Sequence, residues 1–203
     1  MIKPIHTTKF YTFIGLIKNS TITALDFSHN KITNHGARLI AKLLGGNSVI
    51  SQLNLCDNQL QSEGGRYLAR GLRENDSLIR LNLRLNRLTD EGCRLLFEGI
   101  QDNNSLTDLN ISCNGASAQA AQTLFSILRD PNHHLSTLDI SGNDFDSNQF
   151  EMLRLSMSGN KSLTSLDCRQ NPGYSDAFRA IKELDGIVHF NEVNMRAASG
   201  YPF

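Results

Sequence analysis

Six histidines, four cysteines and twenty carboxylates are the groups in this 203-residue chain from which acid–base, nucleophilic or metal chemistry could be built. Their spacing speaks against all three. His133 and His134 adjoin Asp130 but stand beside Pro131, with no cysteine or second carboxylate at ligand spacing, so the segment reads as a polar turn and no metal is expected. His29 and His35 flank another turn, and no serine or cysteine is placed to serve either as a nucleophile. Asp139 and Asp167 occupy matching points of two similar segments, as paired carboxylates for glycoside hydrolysis would, yet no sugar-stacking aromatic accompanies them. The phrases "GNDF" and "GGNS" lack the lysine and the strand-to-helix setting of a phosphate loop. Cys56, Cys93, Cys113 and Cys168 are far apart, without a C-x-x-C pair, and read as reduced thiols. The expectation is a chain with no catalytic residues, no metal, no cofactor and no small-molecule substrate.

The elements that hold these residues emerge when the chain is set against itself. "ITALDFSHN", "ISQLNLCDN", "LIRLNLRLN", "LTDLNISCN", "LSTLDISGN" and "LTSLDCRQN" align as L-x-x-L-x-L-x-x-N, with closing asparagines Asn30, Asn58, Asn86, Asn114, Asn143 and Asn171 spaced 28, 28, 28, 29 and 28 apart. In a strand, Leu25, Leu53, Leu81, Leu109, Leu138 and Leu166 share a face with Phe27, Leu55, Leu83, Ile111, Ile140 and Cys168, which defines a continuous apolar core. The asparagine column follows where the chain must bend. An amide with two donors and an acceptor can satisfy backbone groups left without strand partners, so this column is read as structural.

Each asparagine precedes an apolar residue and then a helix-period stretch: Ala37, Ile40, Ala41 and Leu44 in the first repeat, and Leu95, Leu96, Gly99 and Ile100 in the third. Strand and helix alternate, which predicts an α/β solenoid: a horseshoe arc of six 28–29-residue repeats, with a concave parallel sheet and convex helices. Gly36, Gly64 and Gly92 open helices at one register, suited to close approach between repeats; Gln149 breaks that register, and the fifth repeat carries a one-residue insertion near "DPNHH". Residues 1–21, with Phe10, Phe13, Ile14 and Ile17 at helical spacing, are expected to form an N-terminal cap, 22–187 the repeats, and 188–203 a C-terminal cap and tail. Phe178, Ile181 and Leu184 suggest a last helix and "GIVHF" a degenerate seventh strand; residues 191–203 show no period. Of the sequons at Asn19, Asn75, Asn103, Asn110 and Asn160, four fall at one point of the repeat, where turn chemistry explains them.

Side chains between the core leucines face the hollow. One column reads Asp26, Asn54, Asn82, Asn110, Asp139, Asp167; its neighbours are Ala24, Gln52, Arg80, Asp108, Thr137, Ser165 and Ser28, Cys56, Arg84, Ser112, Ser141, Arg169. The Asn/Asp column is either a hydrogen-bonded ladder or part of a binding surface. Arg80 and Arg84, with Arg87 just beyond, make the densest basic patch. They are either partner contacts, flanked by Asp108 and Asp26, or a solvated face paired to nearby carboxylates. The candidate partner-binding residues are therefore Arg80, Arg84, Asp108, Asp26, Asp139, Asp167, Arg169 and Gln52.

Twenty basic residues balance twenty acidic ones, so no general attraction for nucleic acid or anionic membrane is expected. No apolar run approaches a membrane span, and the first residues lack the segments of a signal peptide, which predicts a cytoplasmic setting.

Over residues 10 to about 190 the pattern resembles the ribonuclease-inhibitor type of leucine-rich repeat. Residues 78–114, above all "LNLRLNRLTDEG", are similar to the repeat region of the T-complex-associated testis-expressed family, which supplies a subunit of the nexin–dynein regulatory complex of motile cilia. That resemblance implies a non-catalytic structural link on the axoneme, with other subunits of the complex as partners. Two alternatives stay open: a regulator of a small GTPase, in the manner of the Ran GTPase-activating protein, and a bacterial effector built on the same repeats.

Overall fold

The computed structural model describes residues 15–157 and 160–174. Strands and helices alternate as β1 (Ala24–Asp26), α1 (Asn34–Gly46), β2 (Gln52–Asn54), α2 (Ser62–Arg73), β3 (Arg80–Asn82), α3 (Thr89–Ile100), β4 (Asp108–Asn110), α4 (Ala118–Arg129), β5 (Thr137–Asp139), α5 (Ser147–Met157) and β6 (Ser165–Asp167). The six strands form one sheet in chain order, every neighbouring pair parallel. Parallel neighbours require a crossover, and each repeat's helix supplies it. The register sets Leu25, Leu53, Leu81, Leu109, Leu138 and Leu166 side by side. All six are buried, as are Phe27, Leu55, Leu83, Ile111, Ile140 and Cys168 two residues on. A leucine-rich-repeat solenoid is the fold these observations define.

The helices bury a slightly different stripe from the one the spacing suggested. In α3 the interior residues are Cys93, Leu96, Phe97 and Ile100, while Leu95 is only half-covered; in α1 Leu43 is fully buried and Ala41 is not. The helices share one buried cluster with the strands and also pack on one another in chain order, and the contact between helices shifts the buried stripe. That contact brings backbone against backbone at two levels. At the helix starts a Cβ on Gly65 would lie 2.4 Å from Gly92 O and one on Gly92 2.7 Å from the Ser62 Cα; further along, a Cβ on Gly71 would lie 2.8 Å from the Ala41 Cα and one on Gly99 2.5 Å from the Ala69 Cα. The residue that follows Gly71 and Gly99 at the repeat spacing is Ile127, which is buried and cannot allow the same approach. A polar cleft opens at that seam, lined in part by Ile100, Ser126, Ile127 and His133. Gln149, out of place in the glycine register, closes a reciprocal cap. Its Oε1 accepts the Asp146 amide at 2.9 Å, while Asp146 Oδ1 accepts the Gln149 amide at 3.2 Å.

Two asparagine columns stitch the coils together. In the first, the side-chain amide of Asn86 donates to Leu55 O and Leu83 O, both at 2.9 Å, and Asn114 donates to Leu83 O and Ile111 O. The pattern repeats from Phe27 O to Ile140 O, so each carbonyl after a strand receives an amide from its own repeat and one from the next. The Oδ1 atoms of Asn58, Asn86, Asn143 and Asn171 accept the amides of Ile32, Leu60, Ala116 and Phe145. The second column, Asn47, Asn75, Asn103 and Asn160, does the same at the helix C-termini. Asn103, for example, donates to Leu72 O and Asn75 O and accepts from the Ser105 and Leu106 amides. Asn75, Asn103, Asn110 and Asn160 are all buried, which leaves these sequon side chains inaccessible. Asn47 also donates to Leu16 O and Asn19 O, tying residues 15–19 to the first repeat. Phe10, Phe13, Ile14, Phe178, Ile181, Leu184, "GIVHF" and residues 191–203 lie outside the described residues.

The insertion in the fifth repeat replaces one rung of the second column. Asn160 Oδ1 accepts the Ser162 and Leu163 amides, which turns its Nδ2 toward His133 Nε2 at 2.6 Å. Nε2 must then accept, the ring proton sits on Nδ1, and that buried nitrogen has no partner among the described residues. Burial holds the His133 pKa below the ordinary histidine value; the charge of His134 acts in the same direction and that of Asp130 against it. Gln101, Asn103 and Asn104 at the end of α3 add only uncharged amides around the cleft. A histidine whose folded pKa is depressed stabilises the fold above its unfolded pKa and ceases to as pH falls through the folded value. Melting curves should therefore shift down on acidification from pH 7 to pH 5, and His133→Gln should flatten part of that shift. Equal slopes in the two proteins would show that the rung carries no proton linkage.

Candidate protein-binding face

The hollow of the arc is built from three columns of outward side chains, and the middle one is committed to the backbone. The Oδ1 atoms of Asp26, Asn54, Asn82, Asn110, Asp139 and Asp167 accept the amide two residues on, at 2.8, 3.0, 3.0, 2.9, 3.0 and 3.1 Å. These are Asx turns that end each strand at the same point. Two cross-strand rungs are present among the described residues: Asn110 Nδ2 donates to Asp139 Oδ2 at 2.8 Å, and the Asn54 side chain hydrogen-bonds the Asp26 carboxylate. Asp139 is buried, and burial pushes its carboxyl above the usual range. Asp167 in the next strand adds to that shift, while Ser141 and the charge of Arg84 oppose it. At Asp26 burial works in the same upward direction, but donors on Ser28 and Asn54 prevail and hold the carboxyl low.

The other two columns hold the charges. Arg80 faces Asp108 across β3 and β4 at 3.7 Å, with Gln52 in register on its other side. Arg169 folds back on Asp167, Nε to Oδ1 at 2.9 Å and Nη2 to Oδ2 at 2.5 Å, beside Asp139. Asp26 is two strands from Arg80 and in contact with neither arginine of the third repeat. The structure thus brings Gln52, Arg80 and Asp108 together in one group and Asp139, Asp167 and Arg169 in a second. Arg84 and Arg87, both exposed, form no ion pair among the described residues. His29 and Asp57 pair at 2.9 Å on the rim.

Sequence reasoning passed over one column. The residue before each structural asparagine, namely His29, Asp57, Leu85, Cys113, Gly142 and Gln170, has φ of 54, 52, 55, 56, 62 and 58°. A left-handed residue is what lets the strand turn sharply, and five of the six are not glycine. Leu85 is 42% exposed there, between Arg84 and the structural Asn86. The signal was its fixed place one residue before the asparagine.

His133 and His134 line the cleft at the seam, and no group of three or more histidine, cysteine or acidic side chains among the described residues is placed to hold a metal. All four cysteines are unpaired. Burial pushes the Cys168 thiol up to about 12 and the Cys93 thiol well above its ordinary value, which keeps both protonated and inert. No described helix is long and apolar enough to cross a membrane.

An arc of short parallel strands with helices behind it and a polar hollow in front is the leucine-rich-repeat fold. Residues 18–41, 46–69, 74–97 and 132–148 match the family model described as Leucine Rich repeat. Among solved structures the chain is similar to actin-binding site 2 of leiomodin-1, with a TM-score of 0.55 and 12% identity, covering 97% of this chain and 100% of that one. It is similar also to the tropomodulin C-terminal domain of Caenorhabditis elegans, with a TM-score of 0.57 and 13% identity over 94% of this chain and 98% of that one. At such identities the likeness is one of fold. No curated protein matches the chain in sequence.

Proposed function

We propose that this chain is a non-catalytic scaffold that holds another protein in the hollow of its arc, with the third repeat as the centre of contact. The observation that carries this reading is the state of the arginines: Arg80, itself more than half exposed, is tied only to Asp108 at 3.7 Å, and Arg84 and Arg87 to no carboxylate among the described residues. An exposed pair of that kind contributes little to folding, so these guanidiniums remain disposable to a partner's carboxylates. A cytoskeletal setting is supported by two separate likenesses. One is the fold shared with an actin-binding site of leiomodin-1; the other is the resemblance of residues 78–114 to a ciliary nexin–dynein subunit family.

The test is cross-linking and mass spectrometry in ciliated cells, with wild type and an Arg80→Glu, Arg84→Glu double variant run in parallel. Contacts in the hollow should fall by more than about tenfold in the variant, since truncating or reversing interface charges costs one to a few kcal/mol each. Circular dichroism and melting temperature should hardly change, because both side chains face solvent. Undiminished cross-links would move the contact to the convex helices. Co-sedimentation with purified axonemal doublets against actin filaments separates the two cytoskeletal settings.

A further inference from the structure

Building on the scaffold reading above, we propose that the turn of the third repeat, Leu85 between Arg84 and Arg87, is an anchor for an acidic segment of a partner protein that carries an exposed apolar side chain. Among the six left-handed turn positions, His29, Asp57 and Gln170 are polar, Gly142 has no side chain, and Cys113 is half-buried against Gly142, where an added Cβ would lie 2.7 Å from its sulfur. Leu85 alone of the six combines an apolar side chain with 42% exposure. Two local preferences are violated at once. A leucine at φ 55° is strained relative to glycine or asparagine, and its side chain is left in water on a rim that is otherwise polar. The left-handed turn is common to all six positions; what is particular to Leu85 is an exposed apolar side chain beside free guanidiniums, and that is the feature a partner can use.

The flanking groups state what that partner must be. Arg84 precedes the turn on the strand side and Arg87 follows Asn86 on the helix side, both exposed, so a segment crossing the turn meets a basic residue on either side of the leucine. Planar guanidiniums without an ion pair recognise carboxylates bidentately, and a leucine beside them offers apolar contact that phosphate lacks. The chain's charge is balanced overall, so a charged partner is drawn by local groups such as these and not by the chain as a whole. These features favour a protein segment over a nucleic acid.

The probe is an acetylated, amidated Glu-Glu-Trp-Glu-Glu peptide titrated into the full chain, labelled for amide and methyl NMR. The Leu85 methyls and the Arg84 and Arg87 side chains should shift together. Replacing the tryptophan by serine, or the glutamates by lysine, should weaken binding by about tenfold each, the size of one good apolar or charged contact. Leu85→Asn should weaken it similarly while raising the melting temperature by about 2–4 °C, because asparagine tolerates the left-handed turn. A purely structural role for Leu85 would raise stability without touching binding, and that result overturns the proposal. So does equal binding of the serine peptide, a response of the two arginines to inorganic phosphate that matches their response to the peptide, or the absence of any response at Leu85. Shifts confined to Gln52, Arg80 and Asp108 would overturn this anchor while leaving the scaffold reading intact. Loss of cross-links in an Arg80→Glu single variant, which leaves Arg84, Leu85 and Arg87 in place, tests the scaffold reading separately.

Discussion

Asn86→Ala is expected to destabilise the fold by about 3 kcal/mol, far beyond the loss of a single ordinary hydrogen bond. The side chain donates to Leu55 O and Leu83 O at 2.9 Å and accepts the Leu60 amide at 3.1 Å. Leu55 O keeps a bond from Asn58 and Leu83 O one from Asn114, so each carbonyl loses half its partners and no more. The Leu60 amide belongs to a fully buried residue and loses its acceptor outright, which by itself costs roughly 1–3 kcal/mol. Two lost donor bonds and a small void account for the remainder. Asn86→Asp separates these contributions. It preserves the acceptor for Leu60 but turns a carboxylate oxygen toward two carbonyls, so at pH 7 it should be no better than alanine and should recover in part when protonated near pH 4. Urea unfolding at the two pH values reads both effects. An alanine variant within 1 kcal/mol of wild type would mean that water replaces the amide and that the column is ornamental.

Leu81→Ala should cost about 2–5 kcal/mol, the range for emptying a buried leucine site. Leu81 is 2% exposed on β3, in register with Leu53 and Leu109, near the middle of the spine. In an array whose coils touch only their neighbours, a void at the centre weakens the interface on each side of it. The unfolding transition should therefore broaden or divide, with the first two repeats and the last three losing structure at different urea concentrations. Leu81→Met, which nearly preserves volume, should cost less than about 1.5 kcal/mol and stay cooperative. A single sharp transition of unchanged midpoint in the alanine variant would show that the third repeat is not needed to couple the ends.

The arginine group shows where sequence and structure part. That Arg80, Arg84 and Asp108 face the hollow was legible, because residues two apart in a strand share a face and the repeat supplies the register. Which of them stands free was not. Arg80 meets Asp108 at 3.7 Å and Arg169 folds onto Asp167, whereas Arg84 and Arg87 are left over, and only rotamers and cross-strand distances separate these outcomes. The Asn/Asp column, open to two readings in the sequence, turns out to be occupied with Asx turns along the strand ends; rungs from Asn110 to Asp139 and from Asn54 to Asp26 cross between strands.

By itself the sequence determined the number of coils, the alternation of strand and helix, the leucine spine and the places of the bending asparagines. Each of these follows from a period of 28–29 residues and from the need of every coil to bury its apolar face against the next. The tertiary structure alone decided the details that depend on how adjacent coils meet. It set the left-handed turn that exposes Leu85, the backbone contact of Gly99 with Ala69, the seam that Ile127 holds open, and the rung where His133 stands in for an amide. These are distances between residues about 28 positions apart, and a periodic sequence specifies that such residues are neighbours without specifying how closely they approach.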